Sequence, residues 1–239
     1  MRKSNAVYSS QRAKSRTIFA SKSKKNPIHN HIMEFCNDEI KPAVYTLSSR
    51  ATPQLDYRIR IRLKKILIIE LVSVFEHYFK NMTAYYVDKN KVDLSILFED
   101  DRITFKLSEL DSILHDTART KGDIIVSSLK FDGLNKVKSI VSKLLDIDFF
   151  KYLYEENTGN KYKMMVKGPP IDINYKNLYE AFELRHQVVH ELKSVPYNYT
   201  KIVGLWDNVM NMFDIANTIF MIPSLLKEYR QLYGSYQNI

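Results

Sequence analysis

Between Asp56 and about Tyr86 the chain repeats apolar residues at spacings of three and four: Leu63, Ile66, Leu67, Leu71, Val74, Phe75, Tyr78, Phe79 and Met82. That period predicts one long, largely buried helix, and whatever else the chain forms must pack around it. Over 239 residues there are only 6 Gly and 7 Pro to interrupt regular structure. The length suits one well-filled core, so the expected fold is all-α, a single up-and-down-like helical bundle. The expected layout is a basic arm over 1–26, an N-terminal extension over 27–55 and the helical domain over 56–239.

Further helices follow from the same periodicity. Ile28, Ile32, Met33, Phe35 and Cys36 suggest a short helix, with looser sequence after it through Pro42 and Pro53. A helix is expected from about Lys106 to Leu114, and Thr117 to Asp123 reads as a loop. The stretch Ser127–Phe149 contains an amphipathic helix with Leu134, Val137, Ile140, Val141, Leu144 and Leu145 inward and Lys136, Lys138 and Lys143 outward. After it, Phe149–Tyr154 extends or follows that helix, a turn spans Glu155–Lys161, and Tyr162–Val166 could be a short extended piece. A last long helix starts at Tyr199 or Thr200 and should pack on the early one, ended or kinked by Pro223.

Charge is distributed unevenly. Of the net +9, eight charges come from Arg2, Lys3, Arg12, Lys14, Arg16, Lys22, Lys24 and Lys25, with no acidic residue before Pro27, leaving +1 for the rest. Serine and lysine replace apolar periodicity there, so the arm is expected to be disordered or loosely draped; its Arg and Ser content is presequence-like, but without the apolar period. Such an arm can strengthen RNA binding through counterion release or act as a solvated tail. The near-neutral remainder predicts no large phosphate-binding face. A single cysteine, Cys36, excludes an intramolecular disulfide and a cysteine-cluster metal site. The longest apolar run, Ile66–Phe75, is interrupted by Glu70 and too short to cross a bilayer. With no secretory apolar segment at the N-terminus, the expected location is cytoplasmic, with no membrane association.

The segment Leu178–Leu192 holds the chemistry. As a helix it gathers Leu178, Ala181, Phe182, Leu184, Val188, Val189 and Leu192 into one stripe, and Arg185 projects near the stripe's middle. Asp172 or Asn174 can cap it, and Pro196 stops it. A guanidinium in such a place must be paired or put to use. His186 and His190, one turn apart, flank it.

Arg185, His186 and His190 resemble the motif of the HEPN superfamily, an arginine, a polar residue, three further residues and a histidine. Many members of that superfamily are metal-independent ribonucleases. LIIELVSVFEHYFKNM, Leu67–Met82, similarly resembles the early helix of the RiboL-PSP type, an apolar run ending in an acidic residue and aromatics. The helix within Ser127–Phe149 resembles the element that precedes the motif helix in that type. The likeness spans roughly Asp56–Tyr233 and implies that Glu76 neutralises Arg185 across the core, the carboxylate partner that a buried arginine requires.

Cleaving RNA without a metal requires deprotonation of the ribose 2′-hydroxyl, protonation of the leaving 5′-oxygen and stabilisation of charge on phosphorus. His190 can serve as acid or base near neutrality, and Arg185 offers a planar fork to two phosphate oxygens. One motif supplies only one such histidine. Moreover, i and i+5 lie about 140° apart on a helix, so a two-fold homodimer that unites two copies of Arg185 and His190 in one cleft is expected. HEPN ribonucleases assemble a composite site in this way. His186 would orient the phosphate or the second imidazole. The expectation is an endoribonuclease with no cofactor and no metal, leaving a 2′,3′-cyclic phosphate, with a toxin or anti-phage role and a protein antitoxin implied by the resemblance.

Other readings are a catalytically silent binding or antitoxin module of the same fold, and an RNA-binding scaffold. A metal site would use His186 and His190 with Glu191 or His77, yet HQVVHE is not HExxH and lacks the protease's base at the expected place. His29 and His31 form a second histidine pair in a segment read as polar loop.

Overall fold

A helix needs its first amide groups satisfied, and at Pro27 the sequence arranges this with one buried side chain. Asn26 Oδ1 accepts from the backbone N–H of Ile28 and His29 (3.1 and 3.3 Å), and Pro27 fills the first turn of α1 (Pro27–Phe35) where no donor is needed. The structure, a computed structural model, describes residues 26–48, 56–90, 92–98, 120–149, 175–190 and 195–221, with Lys227 and Arg230. Every described element is helical or a connecting turn, and the fold is an all-α bundle.

Pro42 has no N–H with which to continue an α-helical ladder. Just before it the backbone widens into a single π turn, Cys36–Ile40, with the Lys41 N–H reaching the Cys36 carbonyl. Helix α2 (Lys41–Ser48) then carries the proline in its first turn, where the missing donor costs nothing. The looser sequence expected through Pro42 is therefore helical as far as Ser48. Pro53 lies outside the described residues. Ile32, Cys36, Ile40 and Val44 enter the main core, so this N-terminal segment is built into the bundle.

The long helix, α3 (Tyr57–Lys89), runs 33 residues, about 50 Å, and is capped by Asp56, whose carboxylate accepts from the Arg58 N–H at 3.0 Å. Its aromatic residues grip the rest of the molecule. Phe75 meets Phe182 edge-on (5.5 Å), Phe79 meets Phe149 (5.9 Å), and Tyr78 stacks on Phe213 (3.9 Å, 17°). Each such ring, fully buried, stabilises the fold by roughly 1.5–3 kcal/mol. Tyr78 also donates to the Phe213 carbonyl (2.8 Å) and touches His29 Nδ1 (3.2 Å), while His29 Nε2 faces Asp214 (3.3 Å). His29 is thus a buried tie between α1, α3 and the last helix, not part of a polar loop.

After a short 3-10 turn at Leu94–Phe98 come α4 (Lys121–Ser128) and α5 (Leu134–Leu145). Lys121–Asp123, expected as loop, are helical. Thr120 and Asp123 form a reciprocal capping box (3.1 and 3.0 Å) that begins α4, an element the reading from sequence did not separate from its successor. The amphipathic helix within Ser127–Phe149 starts at Leu134, as its apolar set implies. Asp146 ends it in the left-handed conformation (φ 53°), and Ser142 Oγ accepts from the Phe149 N–H (3.2 Å), turning that ring into the core.

Helices α6 (Tyr175–His190) and α7 (Tyr199–Met221) complete the bundle, and α7 packs on α3 as expected. The expected helix over 106–114, the features read over 150–166, the capping candidates Asp172 and Asn174, Leu192 and Pro223 lie outside the described residues. Among the described residues no helix is long and apolar enough to cross a membrane.

Helices α3 and α4 approach so closely that a Cβ on Gly122 would lie 2.2 Å from the Ala84 carbonyl oxygen, and the Gly122 N–H donates to Asp88 Oδ1 at 2.7 Å. Gly122→Ala is expected to destabilise the fold by about 2–3 kcal/mol, read as a lowered denaturation midpoint. Gly204→Ala in α7, where an added Cβ meets nothing within 4 Å, is expected to be neutral or to stabilise by about 0.5–1 kcal/mol.

Candidate functional site: one helix with an arginine and two histidines

Helix α6 buries Leu178, Ala181, Leu184 and Val188 and leaves Phe182 partly covered. Val189, placed in the apolar stripe from sequence, is 46% exposed. The buried arc is centred nearer Leu184 than the sequence stripe, which turns Val189 outward and moves Arg185 from the middle of that face to its edge. His186 and His190 stand on the adjoining exposed flank, their ring centroids 4.6 Å apart and tilted 46°. Tyr179, exposed at the same angular position, shares this flank at i, i+7 and i+11, and its hydroxyl donates to Asn135 Oδ1 on α5. That spacing was legible in the sequence, yet Tyr179 was not singled out.

The structure brings Glu76 and Arg185 together. Arg185 Nη1 lies 3.8 Å from Glu76 Oε1, with the two side chains 36% and 17% accessible. This is an ion pair but not a hydrogen bond. Among the described residues, Arg185 Nε and Glu76 Oε1 are both buried without a hydrogen-bond partner. The guanidinium is therefore neutralised and held in place while its donor fork stays largely unengaged. Burial raises the Glu76 carboxyl above its ordinary range, Arg185 pulls it back down, and Asp132 adds a further upward push.

A second polar cluster fixes α6 against the start of α7. Glu180 Oε2 accepts from Lys201 Nζ (2.6 Å) and from the Tyr197 hydroxyl (3.0 Å), and the Lys201 ammonium sits 4.0 Å from the Tyr197 ring centre. Those two hydrogen bonds, Lys201 first, hold the Glu180 carboxyl below its usual value. The helix is thus tied to α3, α5 and α7, while His186 and His190 stay exposed.

Among the described residues no three His, Cys, Asp or Glu side chains converge on a metal-sized space. Glu191 lies outside them, and His77 is engaged by Asn81 within α3 (2.9 Å). A separate cavity of about 200 Å³ lies between the π turn, α2 and α7, lined by Cys36, Val44, Trp206 and Met210 among others. Burial pushes the Cys36 thiol up to about 11, so it stays protonated near neutrality and is a poor nucleophile.

Comparison with family models, curated proteins and solved structures finds no match to this chain.

Because burial is the largest influence on Glu76, its carboxyl titrates higher in the folded than in the unfolded chain. Its contribution to stability is full below the ordinary glutamate value, about 4.3, and is lost as pH rises through the folded value. Glu76→Gln is expected to lack this loss, since the half-exposed Arg185 can still be hydrated. Thermal midpoints of the two proteins should therefore converge near pH 4 and diverge in favour of the variant by pH 7. A wild-type protein that gains on the variant as pH rises would show that Arg185, not burial, dominates the carboxylate.

Proposed function

We propose that this chain is a metal-independent endoribonuclease of HEPN type, whose site is completed by a second copy of itself. The observation that carries the reading is the arrangement on α6: a guanidinium 3.8 Å from Glu76 without a hydrogen bond, on the same helix as two exposed imidazoles in contact with each other. The resemblance of Arg185, His186 and His190 to the HEPN motif supports the same chemistry.

In the reaction, the His190 imidazole of one copy removes the proton from the ribose 2′-hydroxyl. The 2′-oxygen attacks phosphorus and the bond to the 5′-oxygen breaks. His190 of the second copy protonates that leaving oxygen, yielding a 2′,3′-cyclic phosphate and a 5′-hydroxyl. Arg185 donates to the phosphate oxygens as charge builds on them, and Glu76 positions the guanidinium without occupying its fork. His186 orients the phosphate or the facing imidazole. Angular geometry supports the two-copy arrangement over a self-contained site, because Arg185 and His190 project about 140° apart on one helix. A cytoplasmic toxin or anti-phage effector, controlled by a protein antitoxin, is the biological role that the resemblance favours.

Purified protein should cut labelled RNA equally well with and without EDTA. Arg185→Ala and His190→Ala should each slow cleavage by about 10²–10⁴-fold, with thermal midpoints near wild type. The products should carry 2′,3′-cyclic phosphate and 5′-hydroxyl ends. Cleavage lost in EDTA would replace this reading with a metal site built on His186 and His190. RNA binding without cleavage, indifferent to both substitutions, would favour the scaffold or the silent module.

A further inference from the structure

The N-terminal third of α3 has a composition that the net charge of the chain conceals. Arg58, Arg60, Arg62, Lys64 and Lys65 fall within eight residues, and after Asp56 the first acidic side chain is Glu70. The helix sorts these charges by direction. Arg58, Arg62 and Lys65 stand at i, i+4 and i+7, within about 60° of one another. Arg60 and Lys64 turn to the other side, where the Lys64 ammonium lies 4.9 Å from the Tyr199 ring centre on α7. Arg58 and Arg62 are exposed and make no ion pair among the described residues.

Glu76 lies eighteen residues, five full turns, beyond Arg58, and so returns to the same meridian of the helix. The basic strip is therefore collinear with the point where Arg185 meets Glu76, and Lys65 precedes Glu76 by about 16 Å of helix rise. We propose that Arg58, Arg62 and Lys65 form a phosphate-binding strip that lays single-stranded RNA along α3 toward the Arg185 and His190 surface. This rests on the nuclease reading and extends it with a binding track that lies outside the motif helix.

The strip has what a sequence-tolerant single-strand site needs. Cationic side chains recur along one line, Tyr57 at its head is 75% exposed and can take a stacked base, and Ile59 and Ile66 are exposed beside it. A membrane surface is a weaker fit. Among the described residues Ile59, Ile66 and Tyr57 offer insertion there, and the opposite side of the same helix is buried against the bundle from Leu67 onward.

The test measures binding of a fluorescein-labelled single-stranded RNA of about 12 nucleotides to the full-length His190→Ala chain, across a series of salt concentrations. Adding Arg58→Ala, Arg62→Ala and Lys65→Ala should weaken binding at least about tenfold at low salt. It should also flatten the slope of log affinity against log salt by about 2, as three lost phosphate contacts require. A control losing the same charge elsewhere, with Lys41→Ala, Lys121→Ala and Lys227→Ala, should change the slope by less than about 1. An unchanged slope, an equal effect in the control, or a strip variant that loses only binding to phosphatidylserine vesicles would overturn the proposal. Cleavage by the wild-type chain decides the catalytic reading separately, because this measurement is made on a chain that does not need to cut.

Discussion

Burial of α3 on most of its circumference is the constraint from which the rest of the molecule takes its position. Its core-facing residues, from Leu67 through Val87, meet α1, α4, α5, α6 and α7, so no two of these can shift independently without opening a gap against α3. Close packing makes such gaps costly, at several kcal/mol for a vacated aromatic. The arginine-bearing helix is positioned as a consequence. Phe182 seats on Phe75, and one residue along α3 the carboxylate of Glu76 reaches Arg185. Packing thus sets the register of α6, and the ion pair follows from that register.

Elements with sustained periodicity could be read before any coordinates. Helix α3, the helix beginning at Leu134 and α7 were expected, because their apolar positions recur over enough turns to leave no competing pattern. The misses have local causes. Helix α4 is eight residues long, and its start is marked by a Thr120–Asp123 box that uses aspartate where glutamate is the usual signal. Helix α2 was obscured by Pro42, whose effect depends on the π turn in front of it, a feature with no clear sequence signature. His29 looked like loop chemistry because its partners, Tyr78 and Asp214, lie 49 and 185 positions away.

The site was legible in part. The pairing of Arg185 with Glu76 was anticipated from the resemblance alone; the apolar stripe required only that its guanidinium find some carboxylate. Its geometry was not, because an idealised helical wheel treats the stripe as the buried arc, whereas neighbouring helices decide where burial falls. The basic strip on α3 escaped notice for an arithmetic reason. Summed over everything after the arm, the charge is +1, yet Asp and Glu elsewhere cannot neutralise Arg58 and Arg62 at distances beyond the Debye length, about 8–10 Å. Local density, not net charge, sets the field that a phosphate meets.

That field bears on how Arg185 would exchange partners. Among the described residues Arg185 is ion-paired with Glu76, at 3.8 Å and without a hydrogen bond. Under the proposed nuclease reading, a phosphate arriving along α3 would meet the accessible part of the guanidinium at hydrogen-bond distance, a shorter and more directional contact than the one it supplements. Burial already disfavours the Glu76 anion, and Asp132 adds to that, while Arg185 works the other way. An arginine paired more tightly, through two hydrogen bonds, would be held more firmly but would have fewer donors for the substrate. Under the proposed function, the loose contact with Glu76 suits a group that must be positioned before a substrate arrives and remain available afterwards.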